Sequence, residues 1–130
     1  MKKILIVGPC CADAKALTKF LESTFKVQTT DLTKIKEATD FLKQRNYDLI
    51  LVSRVLRGAN QSGLELVAHV KKHCPSKPII MLTRFQEAQE EALKHGAAAA
   101  FDMDLLIGYI RPSMKEKQEK ALNVLKKYLG

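Results

Sequence analysis

Three kinds of side chain in this sequence could do chemistry, and most stand where a short apolar run stops. Cys10 and Cys11 come just after Ile4–Val7 and Gly8-Pro9, at the expected entrance of a helix. A helix N-terminus favours thiolate, so either is a candidate reactive or redox-sensing thiol. The plainer reading is two small residues filling a crevice, since cysteine is commonly an inert buried residue. Ser53 closes the run Leu49–Val52, and Thr83 closes Ile79–Leu82. Arg54, Arg57 and Arg84 follow the same runs, with Arg111 further on. Joined by Thr83 and helix N-terminal N–H groups, these guanidinium groups would suit a phosphate, nucleotide or carboxylate. The alternative is a solvated basic edge, because successive strand residues face opposite ways.

Other chemistries are excluded by count and spacing. Three cysteines, Cys10, Cys11 and Cys74, make no disulfide framework; a Cys10–Cys11 bridge would close a strained ring, and Cys74 belongs at the far end of a later helix. There is no Cys-x-x-Cys, and His69, His73 and His95 are remote in sequence from the cysteine pair, so structural zinc is not expected. No metal or cofactor is expected.

The elements that must position these residues alternate along the chain. Ile4–Val7 is short, β-branched and closed by Gly8-Pro9, as a buried parallel strand reads. Leu17, Phe20, Leu21 and Phe25 form a helical stripe. Val27–Thr30 reads as a polar strand near a sheet edge, and Ile35, Ala38 and Leu42 mark a second helix ending at Arg45-Asn46. Leu49–Val52 is the next apolar strand; residues 53–63 read as a loop holding Gly58, Asn60 and Gly63. Ser62 and Glu65 have capping-box spacing for a third helix, which Cys74-Pro75 ends. Pro78–Leu82 is another strand, and Phe85, Ala88, Ala92 and Leu93 line a fourth helix stopped by Gly96. A fifth strand belongs somewhere in residues 97–110. Pro112 and a capping box Ser113/Glu116 open a last helix with Ala121, Leu122, Leu125 and Leu129 inward. Five alternations without a long linker predict one α/β domain over residues 1–130, a doubly wound parallel sheet.

In order, Lys3–Val7, Tyr47–Val52, Gly63–Leu66, Lys77–Thr83 and Lys94–Ala97 resemble the successive motifs of a response-regulator receiver domain of two-component, phosphorelay signalling. The resemblance covers essentially the whole chain. It implies a flavodoxin-like (βα)5 fold, strand order 2-1-3-4-5, with a crevice where the first and third strands end. It also implies Mg²⁺-assisted phosphoryl transfer to an aspartate, two metal-holding acids after the first strand, and a hydroxyl and a lysine that bind the phosphoryl oxygens.

Carried over by position, most of that list is missing. Gly8 and Pro9 stand in place of the acid pair, and Ser53 in place of the acceptor aspartate; Thr83 keeps the hydroxyl. Counting forward from Gly96-Ala97 puts Met103 at the lysine position; counting back from the last helix puts Arg111-Pro112 there. The second alignment is preferred, since the distance from Pro112 to Leu129 suits the family's last helix. Magnesium needs hard oxygen ligands, and a serine hydroxyl is a poor nucleophile without a base. Asp13, Asp102 and Asp104 have no assured place near Ser53. The aromatic that reports phosphorylation in receivers falls on Ala100, with Phe101 one residue late.

The resemblance therefore implies a non-catalytic pseudo-receiver that meets a signalling partner, or a second copy, through the face of the fourth helix, fifth strand and last helix. A retained but rewired phosphoacceptor, using Ser53 or an acid from elsewhere, remains open, and so do two further alternatives. A first strand followed by a cysteine loop is similar to phosphotransferase-system IIB components, which carry phosphoryl groups on cysteine; an anion- or nucleotide-binding pseudo-receiver is the other. Composition sets limits on all of these. The chain has 130 residues, 22 Lys+Arg against 14 Asp+Glu, a net charge of +8 and 46% hydrophobic residues. Such a chain builds a full core, so global disorder is excluded. Aromatics are 6%, without tryptophan, so the lysines of the last helix read as a solvated face and nucleic acid is not the expected partner. No apolar run approaches the roughly 18–20 residues of a membrane span. The run after Met1-Lys2-Lys3 is too short for a secretion signal, and a cytoplasmic location is expected.

Overall fold

The computed structural model describes residues 1–56 and 61–130. Three apolar runs and one more polar segment become strands of one parallel sheet: β1 (Lys2–Val7), the polar β2 (Val27–Leu32), β3 (Leu49–Ser53) and, after a two-strand hairpin, β6 (Ile79–Leu82). The hairpin is β4 (Val55–Leu56) paired antiparallel with β5 (Gln61–Ser62). The fifth sheet strand, β7, is Ala99–Phe101. Five helices of nine residues or more complete the alternation: α1 (Cys11–Thr24), α2 (Ile35–Gln44), α3 (Gly63–His73), α4 (Gln86–Lys94) and, after a short α5 (Asp104–Ile107) and a 3₁₀ turn at Pro112–Met114, α6 (Lys115–Leu129). The sheet order is β2-β1-β3-β6-β7. With the hairpin strands left out this is 2-1-3-4-5, the flavodoxin-like doubly wound arrangement expected from the sequence.

Alternation along each strand divides the core into two halves. Ile4, Ile6, Leu49, Leu51, Ile80 and Leu82 pack with Leu17 and Leu21 of α1 and Ala121 and Leu125 of α6. Leu5, Val7, Ile50, Val52 and Met81 pack on the other face with Ala38 of α2, Leu66 and Val70 of α3 and Ala92 of α4. Ile4–Val7 and Leu49–Val52 are fully buried, so these runs lack the polar alternation of a one-sided sheet. Each such side chain contributes roughly 1.5–3 kcal/mol of transfer free energy. Asp48 locks the register at the sheet's amino edge: its carboxylate accepts from the Lys3 N–H at 2.8 Å, while its own N–H donates to the Lys3 carbonyl. Buried Tyr47 beside it donates its hydroxyl to Thr30 Oγ1 at 3.2 Å.

Several local expectations are corrected. Residues 53–63 are not simply a loop, since Ser53 ends β3 and Val55–Leu56 pairs with Gln61–Ser62; Gly58 and Asn60 lie outside the described residues. The Ser62 side chain accepts from the Leu64 N–H and caps α3, without a reciprocal bond from Glu65. Ser113 caps nothing, because Pro112 opens a 3₁₀ turn that contains it and α6 begins at Lys115 behind Met114. On α4, Ala88 and Ala92 face inward, whereas Phe85 is the N-cap and Leu93 sits in the last turn, and both are half exposed. No helix among the described residues is long and apolar enough to cross a membrane.

Candidate functional site

Parallel strands put all their carboxyl ends on one edge, and there the loops after β1, β3, β6 and β7 enclose a cleft of about 340 Å³. The register Val7↔Val52 and Ser53↔Leu82 sets the floor. Two close backbone approaches shape it. Gly8 has φ +99°, and a Cβ there would stand 2.8 Å from Leu56 Cγ, so the backbone turns at this point only with the smallest residue. Leu56 itself is fully buried. Gly63, the first residue of α3, donates its N–H to the Arg54 carbonyl at 2.7 Å, and a Cβ on it would collide with the Ser53 carbonyl oxygen. The hairpin is thereby pinned at both ends.

Pro9, Cys10, Ser53 and Thr83 all line the cleft, as the motif positions predict. Ser53 is 8% exposed, and its Oγ, buried, has no hydrogen-bond partner among the described residues. Thr83 is also buried; its Oγ1 accepts from the Phe85 N–H at 3.2 Å and its carbonyl accepts from Gln89 Nε2 at 2.8 Å, which fixes the turn into α4. Cys10 is the N-cap of α1 and makes no side-chain capping bond; Cys11, one residue on, is exposed. Both thiols are free, as is Cys74 beyond the C-terminus of α3.

The four arginines divide. Arg54 and Arg84 line the cleft and are exposed, with their guanidinium carbons 5.6 and 5.2 Å from the centroid of the Phe85 ring. An aromatic face attracts such cations, which accounts for the exposed phenyl ring between them. Arg57 lies outside the described residues. Arg111 is not brought to the cleft. It is exposed beyond α5, whereas Met103, the residue reached by counting from Gly96, lines the cleft. The preferred alignment to Arg111 therefore fails at this point: β7 ends at Phe101, and α5 and the segment after it intervene.

Three carboxylates that the sequence alone does not place belong to the cleft. Asp13, in the first turn of α1, and Asp102 and Asp104, just after β7, share the lining with Ser53. Asp102 is tied locally, its Oδ1 accepting from the Asp104 N–H at 3.0 Å. The signal was available in the count from Gly96, which ends the strand near Phe101. These acids offset the two arginines, so the cleft is not a purely cationic pocket. Among the described residues, no three His, Cys, Asp or Glu side chains are placed to share a metal ion.

Residues 4–103 match the family described as the response regulator receiver domain. The chain belongs to that family. Receiver domains of this kind are signalling modules rather than enzymes. A curated relative, the response regulator protein PilR of Pseudomonas aeruginosa, is 28% identical over 101 residues, covering 76% of this chain and 22% of its own. The chain thus spans about a fifth of that relative's length. The receiver domain of NtrX from Brucella abortus superimposes with a TM-score of 0.74 at 21% identity, with 97% of each chain covered. The signal receiver domain of an HD domain-containing protein from Pseudomonas fluorescens Pf-5 gives 0.74 at 19% identity, covering 98% of this chain and 94% of that one. At such identities the likeness establishes the fold.

A second cleft, of about 380 Å³, lies on the receiver's α4–β7–α6 side, lined by Gln89, Ala99, Ala100, Phe101, Lys117 and Val124 among others. Ala99 and Ala100 are half buried and their small side chains keep the groove floor low; Phe101 is buried beneath it.

Proposed function

We propose that this chain is a degenerate receiver, one unit over residues 1–130, that docks a signalling protein partner or a second copy of itself without phosphoryl control. The observation that carries the reading is Ser53. It ends β3, where receivers keep an acceptor aspartate, and its hydroxyl is buried without a partner among the described residues. A carboxylate pair is missing from the end of β1, where Gly8 and Pro9 stand, and the left-handed φ of Gly8 with Leu56 packed over it supports that loss as built into the backbone. Ala100, in the place of the reporting aromatic, supports an ungated surface. The groove between α4, β7 and α6 is the docking face, and its lysines are a solvated rim rather than a nucleic-acid platform.

Cys10 at the uncapped N-terminus of α1, inside the same cleft, is the one observation favouring a cysteine phosphoryl carrier. Exposure to a small-molecule phosphodonor with Mg²⁺, followed by intact mass measurement, separates the readings. The expected result is no adduct. An acid-stable adduct on Ser53 or an adduct on Cys10 or Cys11 would overturn phosphoryl independence.

A further inference from the structure

The helix α3 starts at the carboxyl edge of the sheet and runs back, so its last two turns lie at the opposite edge from the cleft. There His69 and His73 stand four residues apart, with ring centroids 4.5 Å apart and planes inclined at 38°. We propose that His69 and His73 form a two-imidazole site for a divalent first-row transition-metal ion on the surface of α3.

Residues four apart share one face of a helix, which is what brings these rings side by side. Neutral imidazole is the commonest protein ligand for such ions. Metal–nitrogen bonds of about 2.0–2.1 Å place two ring nitrogens sharing an ion roughly 3 Å apart. Rings already 4.5 Å between centroids reach that separation by rotation of the side chains. His73 is exposed and His69 half buried, so one ligand is anchored and the other free to turn, with water in the remaining coordination positions. Lys43 and Lys72 lie close enough to act on His69 electrostatically. The same lysines temper affinity for any cation. Imidazole selects borderline ions in the order Cu²⁺ above Ni²⁺, whereas Mg²⁺ takes oxygen ligands and is excluded.

The test is calorimetric titration of Ni²⁺ into the full chain at about pH 7.5, above the imidazole range, in a non-coordinating buffer, with Mg²⁺ as the comparison. One Ni²⁺ should bind saturably and Mg²⁺ should give no heat. Either His69→Ala or His73→Asn should weaken binding by about tenfold or more, and Lys72→Gln should strengthen it. His95→Ala and the pair Cys10→Ser with Cys11→Ser should bind as the parent does. His73→Asn, at an exposed position, keeps the fold, and its circular dichroism verifies this. Absence of saturable Ni²⁺ binding, undiminished affinity in folded His73→Asn, or a loss that follows the cysteine or His95 variants would each overturn the assignment.

Discussion

Replacing Ser53 by alanine should make this protein more stable, and the size of the gain follows from the cleft floor. The Ser53 hydroxyl is inaccessible and has no partner among the described residues, in a residue 8% exposed. Burying a hydroxyl without a hydrogen bond costs about 1–3 kcal/mol relative to leaving it in water. Removing one oxygen opens a void of roughly 10–15 Å³, which returns only about 0.3 kcal/mol of that gain. A net stabilisation of about 1–2 kcal/mol is expected. For a chain of 130 residues, the unfolding entropy is about 0.27 kcal/mol/K, so each kcal/mol moves Tm by roughly 4 °C. Ser53→Ala should therefore raise Tm by about 4–8 °C in thermal unfolding followed by circular dichroism, with an unchanged m-value in urea. Ser53→Asp places a carboxylate in the same enclosed position and should lower Tm at neutral pH, the loss shrinking as the pH is brought down and the group is protonated. A fall of several degrees for Ser53→Ala would refute the reasoning, because it would mean that the hydroxyl is satisfied and holds the cleft together.

Two further outcomes test the backbone and the electrostatics. Gly8→Ala should cost about 2–3 kcal/mol, from the left-handed dihedral and the 2.8 Å approach to Leu56 Cγ; in a Leu56→Ala background the added cost should fall toward the dihedral share alone, read as a coupling in a double-mutant cycle. Asp31 on β2 is partly desolvated, which raises its pKa above the ordinary carboxyl value. A carboxyl with a raised folded pKa favours the native state while protonated and loses that contribution as pH rises through the folded pKa. Asp31→Asn should thus raise the urea midpoint at pH 7 and leave it nearly unchanged at about pH 3, with equal midpoint changes at both pH values as the contrary result.

Strands that are buried on both faces announce themselves, and Ile4–Val7, Leu49–Val52 and Ile79–Leu82 are legible for that reason. The fifth strand is not, because Ala99–Phe101 is three residues long and mostly alanine, with no β-branched side chain to mark it. That one gap propagated into the site. Unless the end of β7 is known, Asp102 and Asp104 cannot be placed and Arg111 cannot be set apart from the cleft. The hairpin strands Val55–Leu56 and Gln61–Ser62 have two residues each, too few for any period to register. Phe85 and Leu93 fit a helical stripe by spacing, yet they sit at the two ends of a nine-residue helix, where the core no longer reaches.

The contact between Gly8 and Leu56 also bears on how such a chain changes over generations. Any side chain gained at residue 8 meets a packed leucine and an unfavourable dihedral before it meets a ligand. Placing an acid there requires Leu56 to shrink first, and a smaller residue at a fully buried position is itself costly, by about 2–5 kcal/mol. Neither single step is neutral, so an acid at residue 8 is reached only across a valley in stability. Substitutions made one residue at a time are therefore tolerated more readily on the exposed surface than at this point of the cleft floor.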